Sequence, residues 1–547
     1  MTFGDGRGAL ITGEAQFWRM DPADWRRALE SARDLGIRTV ATYLSWRRHE
    51  PVAGTADLRG AHGPELDVHA FLRLCREVGV DVILKPGPWI CAEEPGGGFP
   101  DWVLAREELL ARDADGNVVV GYNPPFRHPF PSYASRDFLA LVDEWIGFVW
   151  TDLAEFLGPE GPVVATQYDN EPSLGFQDTM YGFDHHPDAL ADWAMRSGEA
   201  PPRPRAPGTG AEPTPTELDW IAFQQDYITT WLQRLRGIGA RHGAGHLVGT
   251  VNLNTHPVRG MPQSGAAISA GLPGAFVGED HYFVPPLDAD DLAGLAIAAA
   301  QGRASGTACV WAPEVQAGIW ISPGVPVDYP DPRPEELVAW WAAALALGYE
   351  GFNLYMLADR ENWDLAPLGP DGAPGPTAEH LRWLLATVAA VPDLRDFAPV
   401  AEHRIPWSPR ILTSAYRVAG TQAVPRTAFD DPAARAGYDA AIAAAGDALR
   451  AGVGFALDPA VDEPTALPAP LVTVTEPALL ARVHRAADGR ELLFLVSATA
   501  GVADVEVRFA DGRGGSLTDV LSGVPIALDA GRATVRIVPG LTLLRVA

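Results

Sequence analysis

Four short runs pass from apolar, branched residues into carboxylates. ICAEE holds Glu93 and Glu94, VVATQYDNE ends in Asp169 and Glu171, FVGEDHY carries Glu279 and Asp280, and VWAPE closes on Glu314. A strand that ends in acids presents them either to a salt-bridged rim or to a substrate. Paired carboxylates across a pocket suit cleavage of a glycosidic bond, because one donates a proton while the other attacks the anomeric carbon. Glu171 and Glu314 form the best pair, and Asn170, directly before Glu171, is placed to hydrogen-bond a sugar 2-hydroxyl. Any one strand-end glutamate reads more readily as a rim residue; the four ends taken together point to catalysis.

The elements that must position these groups alternate in type. From residue 9 to about 395, β-rich runs begin near 9, 38, 80, 161, 246, 274, 306 and 349, with amphipathic helical stretches in six of the seven intervals and a seventh after the last run, several closing on a glycine before the next strand. This predicts an α/β chain whose residues 1–395 form a (β/α)8 TIM barrel with an apolar, packed interior. Two loops exceed the usual βα length: 87–134 and 173–214, the second ending in a proline-rich stretch. Both follow the C-terminal ends of strands, where barrel enzymes build their sites. Residues 396–468, with RILTSAYRV and an alanine-rich helix, read as a small α/β unit. Residues 469–547 alternate short strands with Gly/Asp turns and read as a C-terminal antiparallel, sandwich-like β-domain.

Composition narrows the partners. The formal charge of −28 repels phosphate backbones and anionic lipid, so nucleic acid and membrane surfaces are excluded as expected partners. Cys75, Cys91 and Cys309 are odd in number and widely spaced, which argues against a disulfide framework. With no leader-like start and no apolar run of spanning length, a cytoplasmic location is expected. The single lysine, Lys85, among many arginines and alanines reads as compositional bias. His185 and His186 are adjacent with no third ligand spaced to join them, so neither metal nor cofactor is expected. Cys91 reads as a structural thiol.

Longer motifs carry a family resemblance. GEAQFWRMDPADWRRALESARDLGIRTVATYLSWRRHEP, followed by LKPGPWICAEEPGGGFPDWVL, GPVVATQYDNEP, PEVQAGIW and FNLYM in that order, resembles the barrels of glycoside hydrolase family 35, whose best-known members are β-galactosidases. The resemblance spans roughly residues 9–390. It implies Glu171 as general acid/base and Glu314 as nucleophile, with Tyr43, Cys91, Ala92, Glu93, Asn170 and Tyr355 at the non-reducing-end sugar. By similarity to the wider clan, Tyr282 is expected to donate a hydrogen bond to Glu314. Trp363, in a polar loop, is the expected aromatic platform among seventeen tryptophans. Three positions depart from the family pattern: Gln16 replaces a histidine, Glu94 a tryptophan, and LADRENW a glycine-rich GGTNFG stretch.

The expected function is a retaining exo-acting β-glycosidase, first of all a β-galactosidase, acting on terminal sugars by double displacement. Another sugar (glucoside, glucosaminide, fucoside or arabinoside) or transglycosylation is the alternative, and a sugar-binding barrel without turnover is the non-enzyme alternative. Its partner would be a carbohydrate, and the small unit after 396 leaves a homo-oligomer open.

Overall fold

The computed structural model describes all residues except 1–2, 124, 176–183, 204–212, 255–263, 322–329, 409–410, 412–431 and 462–464. Eight parallel strands close into a barrel: β1 (Leu10–Glu14), β2 (Thr39–Tyr43), β3 (Asp81–Lys85), β4 (Val163–Gln167), β5 (Val248–Leu253), β6 (Phe276–His281), β7 (Trp311–Gln316) and β8 (Gly351–Tyr355). Closure is between β1 and β8, with Leu10 paired to Gly351 and Gly13 to Leu354. All eight strands expected from the sequence are present.

Helices follow each strand: α1 (Trp25–Leu35), α2 (Val68–Val78), α3 (Arg136–Asp152), α4 (Pro215–Arg241), α5 (Gly265–Gly271), α6 (Ala289–Ser305), α7 (Pro334–Leu347) and α8 (Ala378–Ala389). In α1 the buried Trp25, Ala28, Leu29, Ala32 and Leu35 recur at helical spacing and face the barrel, and Gly36 ends the helix at φ 113°. α4 opens on a reciprocal cap between Thr214 and Glu217. α5 was not among the seven helices expected. Its seven residues, GAAISAG, are too short and too small to show a period, and Ser264 caps it locally.

α7 is apolar around its whole circumference, and the reason lies in the C-terminal region. The barrel covers one side, and a six-stranded sheet covers the other. A Cβ on Gly540 would lie 2.7 Å from Val338, and His484 Nε2 lies 2.8 Å from the Ala346 carbonyl. That sheet orders Phe397–Pro399, Leu480–Ala486, Glu491–Ser497, Gly540–Val546, Gly515–Asp519 and Pro525–Leu528, with antiparallel pairing. It packs on a second antiparallel sheet, Val472–Val474, Ala503–Phe509 and Arg532–Ile537, through Val483, Leu493, Leu495, Val505 and Val535. Between barrel and sheets, His403–Pro406 pairs in parallel with Phe455–Asp458 beside the helix Pro432–Arg450. RILTSAYRV lies largely outside the described residues, as does much of the proline-rich stretch before α4.

Candidate active site

Glu171 sits four residues beyond the end of β4 and Glu314 on β7, so the barrel itself brings two groups 143 positions apart into one pocket. Asn170 Nδ2 donates to Glu171 Oε2 at 3.0 Å. The Tyr43 hydroxyl lies 2.8 Å from Asn170 Oδ1 and 2.9 Å from Glu314 Oε1, and its single proton serves one of them at a time. Tyr282 donates to Glu314 Oε2 at 2.5 Å, the contact expected by similarity. The chain Glu314, Tyr43, Asn170, Glu171 thus ties the two carboxyls together.

The polar run after β4 divides its labour. Gln167 Nε2 donates to Asn170 Oδ1 at 3.1 Å and to the Asp169 carbonyl at 3.0 Å, while Asn252 Nδ2, from β5, donates to Asn170 Oδ1 at 3.0 Å. Asp169 faces away from the pocket and accepts from the Trp89 amide at 3.0 Å and Trp231 Nε1 at 2.7 Å. Burial raises its pKa to about 7. Asp169 and Glu171 both take left-handed backbone, φ 58° and 41°, a conformation that these bonds must hold in place.

The two carboxyls differ in what surrounds them. Glu171 is raised well above the ordinary carboxylate range by burial first, then by the charges of Asp280 and Glu314, with Asp280 also in hydrogen-bonding reach; Asn254, donating at 2.6 Å, opposes the rise. Burial lifts Glu314 to about 7, helped by the charges of Asp280 and Glu14, and the Lys85 ammonium and the Tyr282 hydroxyl hold it down. Both carboxyls are thus raised by burial, and the opposing cation and phenol act on Glu314.

Lys85 is not a compositional accident in place. It is buried at the end of β3, its ammonium 2.7 Å from Glu14 Oε2 and 4.5 Å above the Tyr43 ring. Asn353 Nδ2 donates to the same Glu14 oxygen at 3.1 Å, and Asn353 Oδ1 accepts from the Thr12 hydroxyl at 2.8 Å. The expected apolar interior gives way in this layer to a buried, hydrogen-bonded polar floor, whose ammonium acts on Glu314.

The other wall is the loop after β3. Cys91, Ala92 and Glu93 are consecutive non-glycine residues at φ 53°, 50° and 48°, each costing about 1 kcal/mol or more. Gly97 lets Trp89 lie on the loop backbone, since a Cβ there would fall 1.7 Å from its ring. Arginines secure the strained segment. Arg19 donates to the Ala92 carbonyl at 2.8 Å, Arg48 grips Glu94 with two bonds of 2.8 and 2.9 Å, and Arg360 donates to Glu93 Oε2 at 2.6 Å. Cys91 is buried, and its thiol is pushed far up by burial and by Glu171, Glu93 and Glu314; a thiolate nucleophile is disfavoured there.

Tyr355, at the end of β8, accepts from Arg360 at 3.1 Å and from Gln16 at 3.4 Å. Trp363 is only 3% exposed; it packs edge-on against Tyr355 at 5.3 Å and anchors its indole N–H on the Ala317 carbonyl at 3.0 Å, so it stiffens the wall behind Tyr282 and Tyr355. Trp18, Trp46, Trp89 and Trp311 are buried. His186 caps the helix Pro187–Ser197 and contacts the Glu108 carbonyl. Among the described residues no cluster of three or more His, Cys, Asp or Glu could hold a metal, and no helix is long and apolar enough to cross a membrane. The sequence reading missed Asn254, Lys85's role and Arg360. Asn254 at least carried a signal, a polar residue closing the β5 run VGTVNLN.

Residues 1–122 match the family model of glycosyl hydrolases family 35. The match covers β1, β2, β3 and the loop that follows β3. An exo-β-D-glucosaminidase of Thermococcus kodakarensis is 36% identical over 173 residues, 31% of this chain and 21% of that protein. A β-galactosidase of Felis catus is 33% identical over 162 residues, 29% of this chain and 21% of that protein. The matched stretch thus spans about a fifth of the length of these curated relatives. The crystal structure of a β-galactosidase from Bacillus circulans sp. alkalophilus superposes along both whole chains with a TM-score of 0.70 at 12% identity, which establishes a common fold beyond the family 35 region.

Proposed function

We propose that the chain is a retaining, exo-acting β-glycosidase. The observation that carries this reading is the setting of two buried carboxyls in one pocket: Glu171 lies beside Asp280, while Glu314, which feels Asp280 and Glu14 as well, has the Lys85 ammonium and the Tyr282 hydroxyl to offset them. Protonated Glu171 delivers its proton to the glycosidic oxygen as ionised Glu314 bonds to the anomeric carbon and the aglycone departs. Glu171, now ionised, takes a proton from water as that water displaces Glu314 and releases the sugar. Asn170, held by Gln167 and Asn252 beside Glu171, is the group we assign to the sugar 2-hydroxyl.

Exo action is supported by the walls. The loop after β3 folds a hairpin, Val120–Asn123 with Phe126–Pro129, against the segment following Glu171, so closely that a Cβ on Gly175 would lie 2.5 Å from the Gly121 Cα. A galactoside is the first candidate from the motifs and the Felis catus relative; a glucosaminide is the second, from the Thermococcus kodakarensis relative. We assign residues 1–395 as the catalytic unit. The test is a panel of p-nitrophenyl β-glycosides with the product anomer followed by NMR. Release of the β-anomer first supports retention; release of the α-anomer first, or no turnover on any β-glycoside, refutes the reading.

A further inference from the structure

The segment LADRENW, where the family has a glycine-rich stretch, places a guanidinium inside the pocket wall. Arg360 is buried, although six residues earlier the chain is still in β8. One of its nitrogens, Nη2, is shared between Glu93 Oε2 at 2.6 Å and the Tyr355 hydroxyl oxygen at 3.1 Å. The other terminal nitrogen is held by Asn362. The guanidinium is thus fixed at both ends of its fork before any ligand arrives.

The consequence follows from hydrogen-bond capacity. A phenol oxygen that already accepts from Arg360 and from Gln16 Nε2, at 3.4 Å, has its lone pairs engaged and keeps only its proton to offer. A carboxylate with Oε2 committed to a charge-assisted bond presents Oε1 as an acceptor and has its charge balanced in place. We propose that Arg360 is a positioning residue that fixes Tyr355 as a donor and Glu93 as an acceptor for the hydroxyls of a neutral non-reducing-end sugar. The pair matches a hydroxyl group, which accepts and donates at once. A sugar carboxylate would meet the Glu93 charge instead. The three departures from the family pattern become one device: Gln16 and Arg360 both serve Tyr355, while Glu94 joins Arg19 and Arg48 in holding the strained loop that bears Glu93.

This inference rests on the glycosidase reading, and its test separates the two. The probes are the p-nitrophenyl β-glycoside that the wild type cleaves fastest and its 3-, 4- and 6-deoxy analogues, with wild type, Arg360→Met, Arg360→Lys and Tyr355→Phe. Arg360→Met is expected to lower kcat/KM roughly 10- to 100-fold on the parent glycoside. On one of the deoxy analogues the loss should shrink to about threefold or less, because the hydroxyl served by Arg360 is already gone. Tyr355→Phe should lose discrimination against the same analogue, and Arg360→Lys should recover part of the loss. Equal losses for Arg360→Met on all four substrates, or unchanged constants, overturn the positioning role while the glycosidase reading stands. Should Arg360→Met not fold, Tyr355→Phe and Arg360→Lys decide by the same analogue. If the wild type cleaves no glycoside, both fall.

Discussion

Removing one proton donor from the nucleophile tests the electrostatic account most directly. Tyr282 donates to Glu314 Oε2 at 2.5 Å, while the residue is 38% exposed, so Tyr282→Phe deletes the bond without opening a core cavity. A hydrogen bond to a charged carboxylate contributes about 1.5 to 3 kcal/mol. Losing it disfavours the ionised form and raises the Glu314 pKa by about one to two pH units, from a starting point of about 7. The sign follows because the donor stabilises only the carboxylate, and the nucleophile must be that carboxylate. The acid limb of kcat/KM against pH should therefore move upward by one to two pH units, roughly, and the rate below both limbs should drop about 10- to 100-fold. Glu171, well above the ordinary range, sets the other limb, and the two limbs belong to the coupled pair. The assay is a pH profile on an activated aryl β-glycoside, with circular dichroism confirming the fold. An acid limb that stays within about 0.3 pH units of the wild type would refute the argument that Tyr282 holds Glu314 ionised.

Glu314→Gln should abolish turnover, measured on the same substrate; activity near that of the wild type would remove Glu314 as nucleophile. The same variant has a thermodynamic signature. A carboxyl with pKa 4.5 when unfolded and about 7 when folded binds its proton more tightly in the folded state, so stability falls by up to about 3 kcal/mol as pH rises through that window. Glu314→Gln should thus gain Tm relative to wild type between pH 5 and pH 8, and a constant difference in calorimetry would contradict this. Glu171→Ala should lose activity steeply on glycosides with poor leaving groups and far less on activated aryl glycosides, since only the former need the proton in the first step; equal losses would deny Glu171 the acid role. Lys85→Met should push the acid limb in the same direction as Tyr282→Phe and cost about 3 to 5 kcal/mol in denaturant unfolding, because Glu14 is left buried without its cation; an unchanged midpoint would count against that pairing.

The barrel was legible because each strand is a short apolar or β-branched run set between longer periodic helices, and the meeting of Glu171 with Glu314 was legible because each acid stands in or just after such a run, near the end that opens on the pocket. Tyr282 could be placed on Glu314 by similarity. Arg360 and Trp363 could not be read in the same way. Within ADRENW both look like parts of a solvated turn, and what buries the arginine is a carboxylate 267 positions away. Long-range ion pairing leaves no local period. The same holds for Lys85, whose meaning depends on Glu14 and on the ring of Tyr43, contributed by two other strands. α5 failed for a different reason: its helicity comes from a serine cap and from packing, and neither alters the hydrophobic pattern of seven small residues.

Because the chain has one lysine and that lysine acts on Glu314, the pocket floor carries its own isotopic address. Protein grown on labelled lysine would show one side-chain ammonium signal, with no assignment to make. Its chemical shift, followed through a pH titration or as a sugar enters, would report the charge of Glu314, whose field the ammonium feels, without altering a single residue.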